Sequence, residues 1–279
     1  MTLSLKGSSR LSLGTTRTQF EKLISDVDAV AAREISSDLF GIVKVLDSSI
    51  ALRRALTDFS RNESAKIALC KEVFAGLDSA VAFTLLSTMV SLRWSSPRDL
   101  GDVLEILGVE AQSVAVEKDS ALDQLESELF AFAQIVAKSP ELRAVFAIRT
   151  QSEVKKSGLV SSLLSGKALQ ASIDLISFLV DHPRGRNLEN GLEDFADAIS
   201  ARKARAIAHV VSANPLTQEQ SVRLTKALTK MMNHEIRVNV SVDKDVLGGL
   251  SIRIADELID GTLLARLAQA DRLLSGKSA

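Results

Sequence analysis

Among these 279 residues the side chains that could carry out chemistry are few and scattered. The three histidines, His182, His209 and His234, lie far apart and lack the close spacing by which two ligands reach one metal ion from a helix turn or a hairpin. His209 falls within Ala206–Ser212, a run that reads as a buried strand, so a hydrogen-bonded core histidine is expected there. Cys70 is the only cysteine. It sits in the apolar-periodic run Ile67, Leu69, Cys70, Val73, Phe74, which predicts a packed thiol rather than a nucleophile and excludes an intramolecular disulfide. Arg184-Gly185-Arg186, beside His182 and Pro183, offers two guanidinium groups that could grip a phosphate, but the stretch reads first as a solvated loop. Gly248-Gly249 leads into an alternating strand, with no following Lys-Ser/Thr and no helix N-terminus to hold an anion, so it is no phosphate loop. No catalytic constellation, cofactor site or metal site is expected.

The residues that remain must act through shape. With 34 basic and 35 acidic residues the formal charge is -1, which gives no general electrostatic attraction to nucleic acid or anionic lipid. Hydrophobic residues make up 46% of the chain and the mean hydropathy is +0.15, apolar enough to suggest surface buried against other proteins. No apolar run approaches the roughly 18 to 20 residues that span a bilayer. The densest, Ala80–Leu86, is far too short. Met1 to Thr16 lacks the apolar centre of a secretory signal and reads as a flexible arm.

From Arg17 to Ala201 apolar residues recur at helical spacing, as in Phe20, Leu23, Ile24, Val27 and in Leu39, Ile42, Val43, Leu46. The four prolines, Pro97, Pro140, Pro183 and Pro215, mark helix breaks or starts. The region also resembles itself. Ser37-Asp38-Leu39-Phe40 is echoed by Ser127-Glu128-Leu129-Phe130, and Leu52-Arg53 by Leu142-Arg143, each pair 90 residues apart. Lys66 with Lys156, Leu69 with Leu159, Ser87 with Ser177 and Val90 with Val180 share that offset. Beyond Pro97 and Pro183 it slips to 88, Leu100 facing Leu188 and Leu104 facing Leu192. A slip confined to a loop is the mark of a duplication. The reading is a mostly α chain: an arm over 1–16, a helical bundle over 17–107, a second over 108–201 that repeats it, and a small α/β domain over 202–279. Without a proline between Pro97 and Pro140 the two bundles should be rigidly joined, and Leu69 and Leu159 should occupy equivalent buried positions.

After Ala201 the period alternates. Ala206–Ser212 predicts a strand, Thr217 to Asn233 a helix, and Ile236, Val238, Val240, Val242 a half-buried strand. Leu250, Ile252 and Ile254 form another, turned by Asp256-Glu257 toward Leu258 and Ile259. Thr262 is placed to cap a last helix carrying Leu263, Leu264, Leu267 and Leu273.

The stretch from Val242 to Thr262 closely resembles the signature of the delta subunits of F-type ATP synthases and of their mitochondrial counterpart, the oligomycin-sensitivity-conferring protein. Asp243, Leu247, Gly248, Gly249, Asp256, Asp260, Gly261, Thr262 and Leu267 match the pattern in order. Physically these residues shape backbone: Gly248-Gly249 admits positive dihedrals entering a strand, and Asp260-Gly261 a tight turn into a helix. Val211 to Thr217 is similar to the family's strand and turn, and Ser177 to Arg186 to its apolar helix and following loop, with Asp181, His182 and Pro183 replacing the usual asparagines. The resemblance covers the last 140 residues or so, and two helical copies would make this the longer, actinobacterial-like form.

The resemblance implies a non-catalytic stator subunit of a proton-translocating ATP synthase, peripheral at the cytoplasmic face of the plasma membrane. Its implied partners are the N-terminal segments of alpha subunits and subunit b of the peripheral stalk. The second copy, corresponding in chain order to the family's single helical domain, is expected to keep the alpha contact. The alternative is a helical RNA-binding module of the NusB type, whose bundle is similar. That function wants a basic face with stacking aromatics, whereas aromatics are 4% of this chain, with no tyrosine and only Trp94 as tryptophan.

Overall fold

A computed structural model of the chain describes residues 5–147, 153–205, 207–232, 236–243, 249–254 and 257–260. The chain divides into two compact units, Met1–Ser200 and Ala201–Ala279.

The first unit is helical, and short polar residues set where its helices start. Helix α2 (Ala29–Ser48) is capped by Asp28, whose carboxylate accepts from the Ala31 amide at 2.9 Å. Ser49, Asn62 and Ser79 do the same for α3 (Ile50–Thr57), α4 (Glu63–Val73) and α5 (Ala80–Ser91). Each cap satisfies an amide that the first helical turn leaves without a partner. Ser96 and Asp99 form a reciprocal capping box on α6 (Pro97–Lys118), with Pro97 in its first turn. Then follow α7 (Leu122–Lys138), α8 (Pro140–Ala147), α9 (Glu153–Leu164), α10 (Gln170–Asp181) and α11 (Leu188–Arg205).

The helices recur in step. Helices α7 to α10 follow α2 to α5 at about 90 residues, and so do their tethers. The Asp38 carboxylate accepts from the Ser79 amide at 2.7 Å, fixing the start of α5 to α2, and the Glu128 carboxylate accepts from the Leu169 amide at 2.9 Å, fixing the start of α10 to α7. Ser49 and Ser139 cap onto Leu52 and Leu142, again in register. Leu39 and Leu129, Leu85 and Leu175, and Leu56 and Phe146 are buried pairs at the same offset.

Three expectations need correction. Helix α1 (Ser8–Ile24) occupies much of the supposed arm. Its hydroxyl-rich start reads as disorder but is anchored: Ser9 Oγ donates to Asp99 and Ser12 Oγ to the Arg93 carbonyl, both at 2.6 Å, and Leu5 is buried. The division at 107/108 falls inside α6, which is buried almost continuously from Leu100 to Val116 and serves both copies. The helix does not run on toward Pro140; it stops at Lys118, and Ser120 at φ 57 reverses the chain. One hydrophobic core, from Leu5 to Ile199, joins the copies instead. Finally, Leu69 and Leu159 are only partly buried; the fully enclosed side chains are their neighbours Cys70 and Val160.

The second unit is a four-stranded sheet in the order β2-β1-β3-β4. Strand β1 (Ile207–Ser212) crosses through α12 (Gln218–Met232) to the parallel β2 (Arg237–Val242), while β3 (Leu250–Ile254) and β4 (Glu257–Asp260) add antiparallel. Ala208, Val210, Ile252 and Ile254 pack with Leu228 of α12. The expectation of a fully buried β1 with a core histidine fails, because β1 alternates and His209 lies on the exposed face between Asn239 and Arg253.

Candidate helix-docking site

Helix α2 shows what the surface of the second copy can hold. It runs along α6 and reaches α10, so that α6 and α10 form a groove with α2 seated in it. Phe40 is the knob. A Cβ on Gly108 of α6 would lie 3.0 to 3.2 Å from its ring, so a larger residue there would push the ring aside. Its ring centroid is 4.1 Å from that of Phe178 on α10. Around it, Ser36 Oγ donates to the Gly108 carbonyl at 2.8 Å, Lys44 Nζ stands 5.9 Å above the Phe178 ring, and Arg33 pairs with Asp119 at 2.9 Å.

The corresponding groove of the first copy lies between α1 and α5. Leu13-Gly14 matches Leu107-Gly108 at an offset of 94, the difference from 90 being taken up around the turn into α2, and Thr88 stands in the place of Phe178. Here the glycine is open, with nothing within 4 Å of a Cβ built on Gly14. Thr15 and Thr18 on α1 and Thr84 and Thr88 on α5 each donate their hydroxyl to their own helix's carbonyl four residues back. Such side chains present methyl groups and leave no donor unmade when a helix lies over them. The counterpart of the knob is open as well: Phe130 on α7 is 63% exposed.

What holds the copies in register is ionic. Arg184, read as a loop residue in solvent, is buried with its side chain 4% exposed. Its guanidinium meets Asp47 of α2 at 2.7 Å, Asp102 of α6 at 2.9 Å and Glu105 of α6 at 3.0 Å. Arg186 meets Glu105 at 2.6 Å and Asp194 of α11 at 2.9 Å. Gly101 makes the space, since a Cβ there would lie 2.8 Å from the Arg184 guanidinium. Burial raises Glu105 and Asp102 above their ordinary values, against the pull of Arg184. Burial also works against the charge of Arg184, yet Glu105, Asp102 and Asp47 outweigh it and push the guanidinium up. With its donors engaged this way, the Arg-Gly-Arg loop is a fastener rather than a phosphate grip. Its signal in sequence was the set of carboxylates in the otherwise apolar α6.

The other chemical candidates stay apart. Cys70 is buried in aliphatic surroundings, which push its thiol up to about 11. His182 stacks at 5.3 Å on Phe178, and His234 lies outside the described residues. Of the signature residues, Asp243 donates its amide to the Ser212 carbonyl at 2.9 Å, closing the end of β1 against β2. Gly249 takes φ 85 ahead of β3, and Asp260 ends β4 opposite Ser251. Leu247, Gly248, Asp256, Gly261, Thr262 and Leu267 lie outside the described residues.

A helix seated in a groove, closed ion pairs and a buried thiol are features of packing among the described residues. The family model for the ATP synthase delta (OSCP) subunit matches residues 111–274, from the middle of α6 through the second unit. The ATP synthase subunit delta of Kineococcus radiotolerans is 37% identical over 270 residues, covering 97% of this chain and 98% of that one. Those of Streptomyces griseus and Acidothermus cellulolyticus are each 37% identical, over 98% and 97% of this chain and the whole of their own. The chain belongs to the ATP synthase delta (OSCP) family, whose members are non-catalytic subunits of the complex. No helix among the described residues is long and apolar enough to cross a membrane.

Proposed function

We propose that this subunit ties the catalytic head of the synthase to its peripheral stalk at the cytoplasmic face of the plasma membrane, and so resists rotor torque. The helical unit is a duplication that receives N-terminal helices of alpha subunits, and the α/β unit takes the end of subunit b. The observation that carries this reading is α2 seated between α6 and α10, because it exhibits a helix in the very groove whose counterpart, α1 with α5, stands open. The same observation speaks for the first copy, around Gly14, as the place of the alpha contact rather than the second, whose groove is filled from within. The signature residues of the second unit act by shaping its backbone.

A fluorescent peptide from the alpha N-terminus, titrated with the full chain, tests this. Binding should be lost on Gly14→Leu, which fills the open groove, and kept on Val242→Ser in the second unit. Binding that is indifferent to Gly14→Leu would return the contact to the second copy. Copurification of subunit b should in turn depend on the second unit.

A further inference from the structure

The Phe40 contact between the copies is a lock and key of which each copy owns both halves. The first copy supplies the knob, Phe40 on α2, and the second supplies the groove, α6 with α10 around Gly108. Left over are the second copy's knob and the first copy's groove. Phe130 on α7 projects beside Ser127 and Ala131, small residues matching Ser37 and Gly41 next to Phe40, and is 63% exposed. Gly14 on α1 lies open, with Leu11, 77% exposed, one turn before it.

From this geometry we infer that the free subunit associates head to tail, Phe130 of one copy of the chain entering the α1–α5 groove of the next. The inference rests on the reading of that groove as a helix acceptor. Charge selects the occupant. The solvent side of α1 and its approach carries Lys6, Arg10 and Lys22, while the one acidic residue of α1, Glu21, is buried. Helix α7 carries Asp123 on its exposed side with Glu126 and Glu128 half-buried beside it, and its single basic residue, Lys138, stands at its far end. Like would therefore oppose like in a face-to-face pairing of two α7 helices, whereas α7 against α1 brings acid to base. The interior contact also pairs acid with base, in the opposite sense, Arg33 of the knob helix α2 meeting Asp119 at the end of α6. Because knob and groove are different surfaces on opposite copies of the repeat, a head-to-tail contact passes from chain to chain and ends only where the rotation between neighbours closes a ring. An alpha helix in the Gly14 groove would compete for the same surface, so assembly into the synthase and self-association exclude one another.

Sedimentation velocity of the full chain over a range of concentrations tests the inference. The weight-average mass should rise with concentration, and the rise should vanish in Phe130→Lys and in Gly14→Leu taken separately. Both positions are exposed on helices, and unchanged circular dichroism shows that each variant folds. An equimolar mixture of the two variants keeps one intact knob and one intact groove, so it should form a one-to-one dimer that grows no further. Three results would overturn the inference: a wild-type chain monomeric throughout, a Gly14→Leu chain that still associates, or a mixture that stays monomeric. The alpha peptide titrated into Phe130→Lys, which retains the groove, reports on the helix-acceptor reading by itself: binding there beside a monomeric wild type would leave that reading standing and remove only the self-association.

Discussion

Phe40 and Phe130 are the same residue of the repeat, and replacing each by alanine should give opposite results. Phe40 is 8% exposed, lies against Phe178, and fills the space over Gly108. Truncation removes a buried ring and leaves a gap whose floor is a glycine with no side chain to move in. Phenylalanine-to-alanine changes in cores cost about 3 to 5 kcal/mol, and the lost ring pair, worth roughly 0.5 to 1.5 kcal/mol, puts Phe40→Ala toward the top of that range. Phe130, 63% exposed, should cost within about 0.5 kcal/mol, as surface changes do. For a unit of this size each kcal/mol moves the midpoint by roughly 2 to 4 °C, so Phe40→Ala should melt the helical unit about 10 °C early. Calorimetry, or guanidinium unfolding followed by helical circular dichroism, measures both, with the second unit's transition as an internal control. Equal effects of the two substitutions, or a Phe40→Ala loss under about 1 kcal/mol, would refute the argument that α2 is seated in a groove.

Other expectations follow from the ionic fastener. Arg184→Ala leaves three buried or half-buried carboxylates facing one another and should destabilise the helical unit by about 3 to 5 kcal/mol, read from the same unfolding curves. The pH dependence has the sign opposite to that of an ordinary salt-bridged carboxylate. Burial raises Glu105 above its unfolded value, so its contribution is fully present below about 4.5 and is lost as the pH rises through the folded value. Wild type should therefore gain stability relative to Glu105→Gln as the pH is lowered from neutral, measured by denaturant unfolding at each pH. A relative loss would show that the pairing with Arg184 and Arg186 outweighs the burial.

The helices were legible because they keep their apolar period and several start at a short polar residue, and the recurrence at 90 residues coincides with recurring tethers. Ser-Asp-Leu-Phe and Ser-Glu-Leu-Phe recur since Asp38 and Glu128 each hold the start of a later helix. What escaped the reading was whatever depends on a partner distant in sequence. Ser9 and Ser12 look like a disordered arm until the loop at Arg93 and Asp99 accepts their hydroxyls. Arg184 looks solvated until Asp47, 137 residues away, is brought beside it. His209 was misplaced for another reason: an apolar run over one sheet face is indistinguishable by composition from a strand buried on both.

The contrast between the copies follows from how a duplicated surface is spent. With α2 of the first copy docked on the second, the knob of the second copy stays 63% exposed and the glycine of the first copy's groove stays open among the described residues. Symmetry of sequence thus produces asymmetry of exposure. Burying Phe40 stabilises the helical unit as one body, with α6 shared and Arg184 fastening the loop between α10 and α11 onto α2. A single rigid body suits the proposed role, since two bundles on a flexible joint would rotate before they resisted torque. The same docking leaves Gly14 open and Phe130 exposed, on opposite copies of the repeat. If the subunit holds the head through the Gly14 groove as proposed, a substitution at Phe40 or Gly108 should disturb attachment and stiffness together, whereas one at Gly14 should disturb attachment alone.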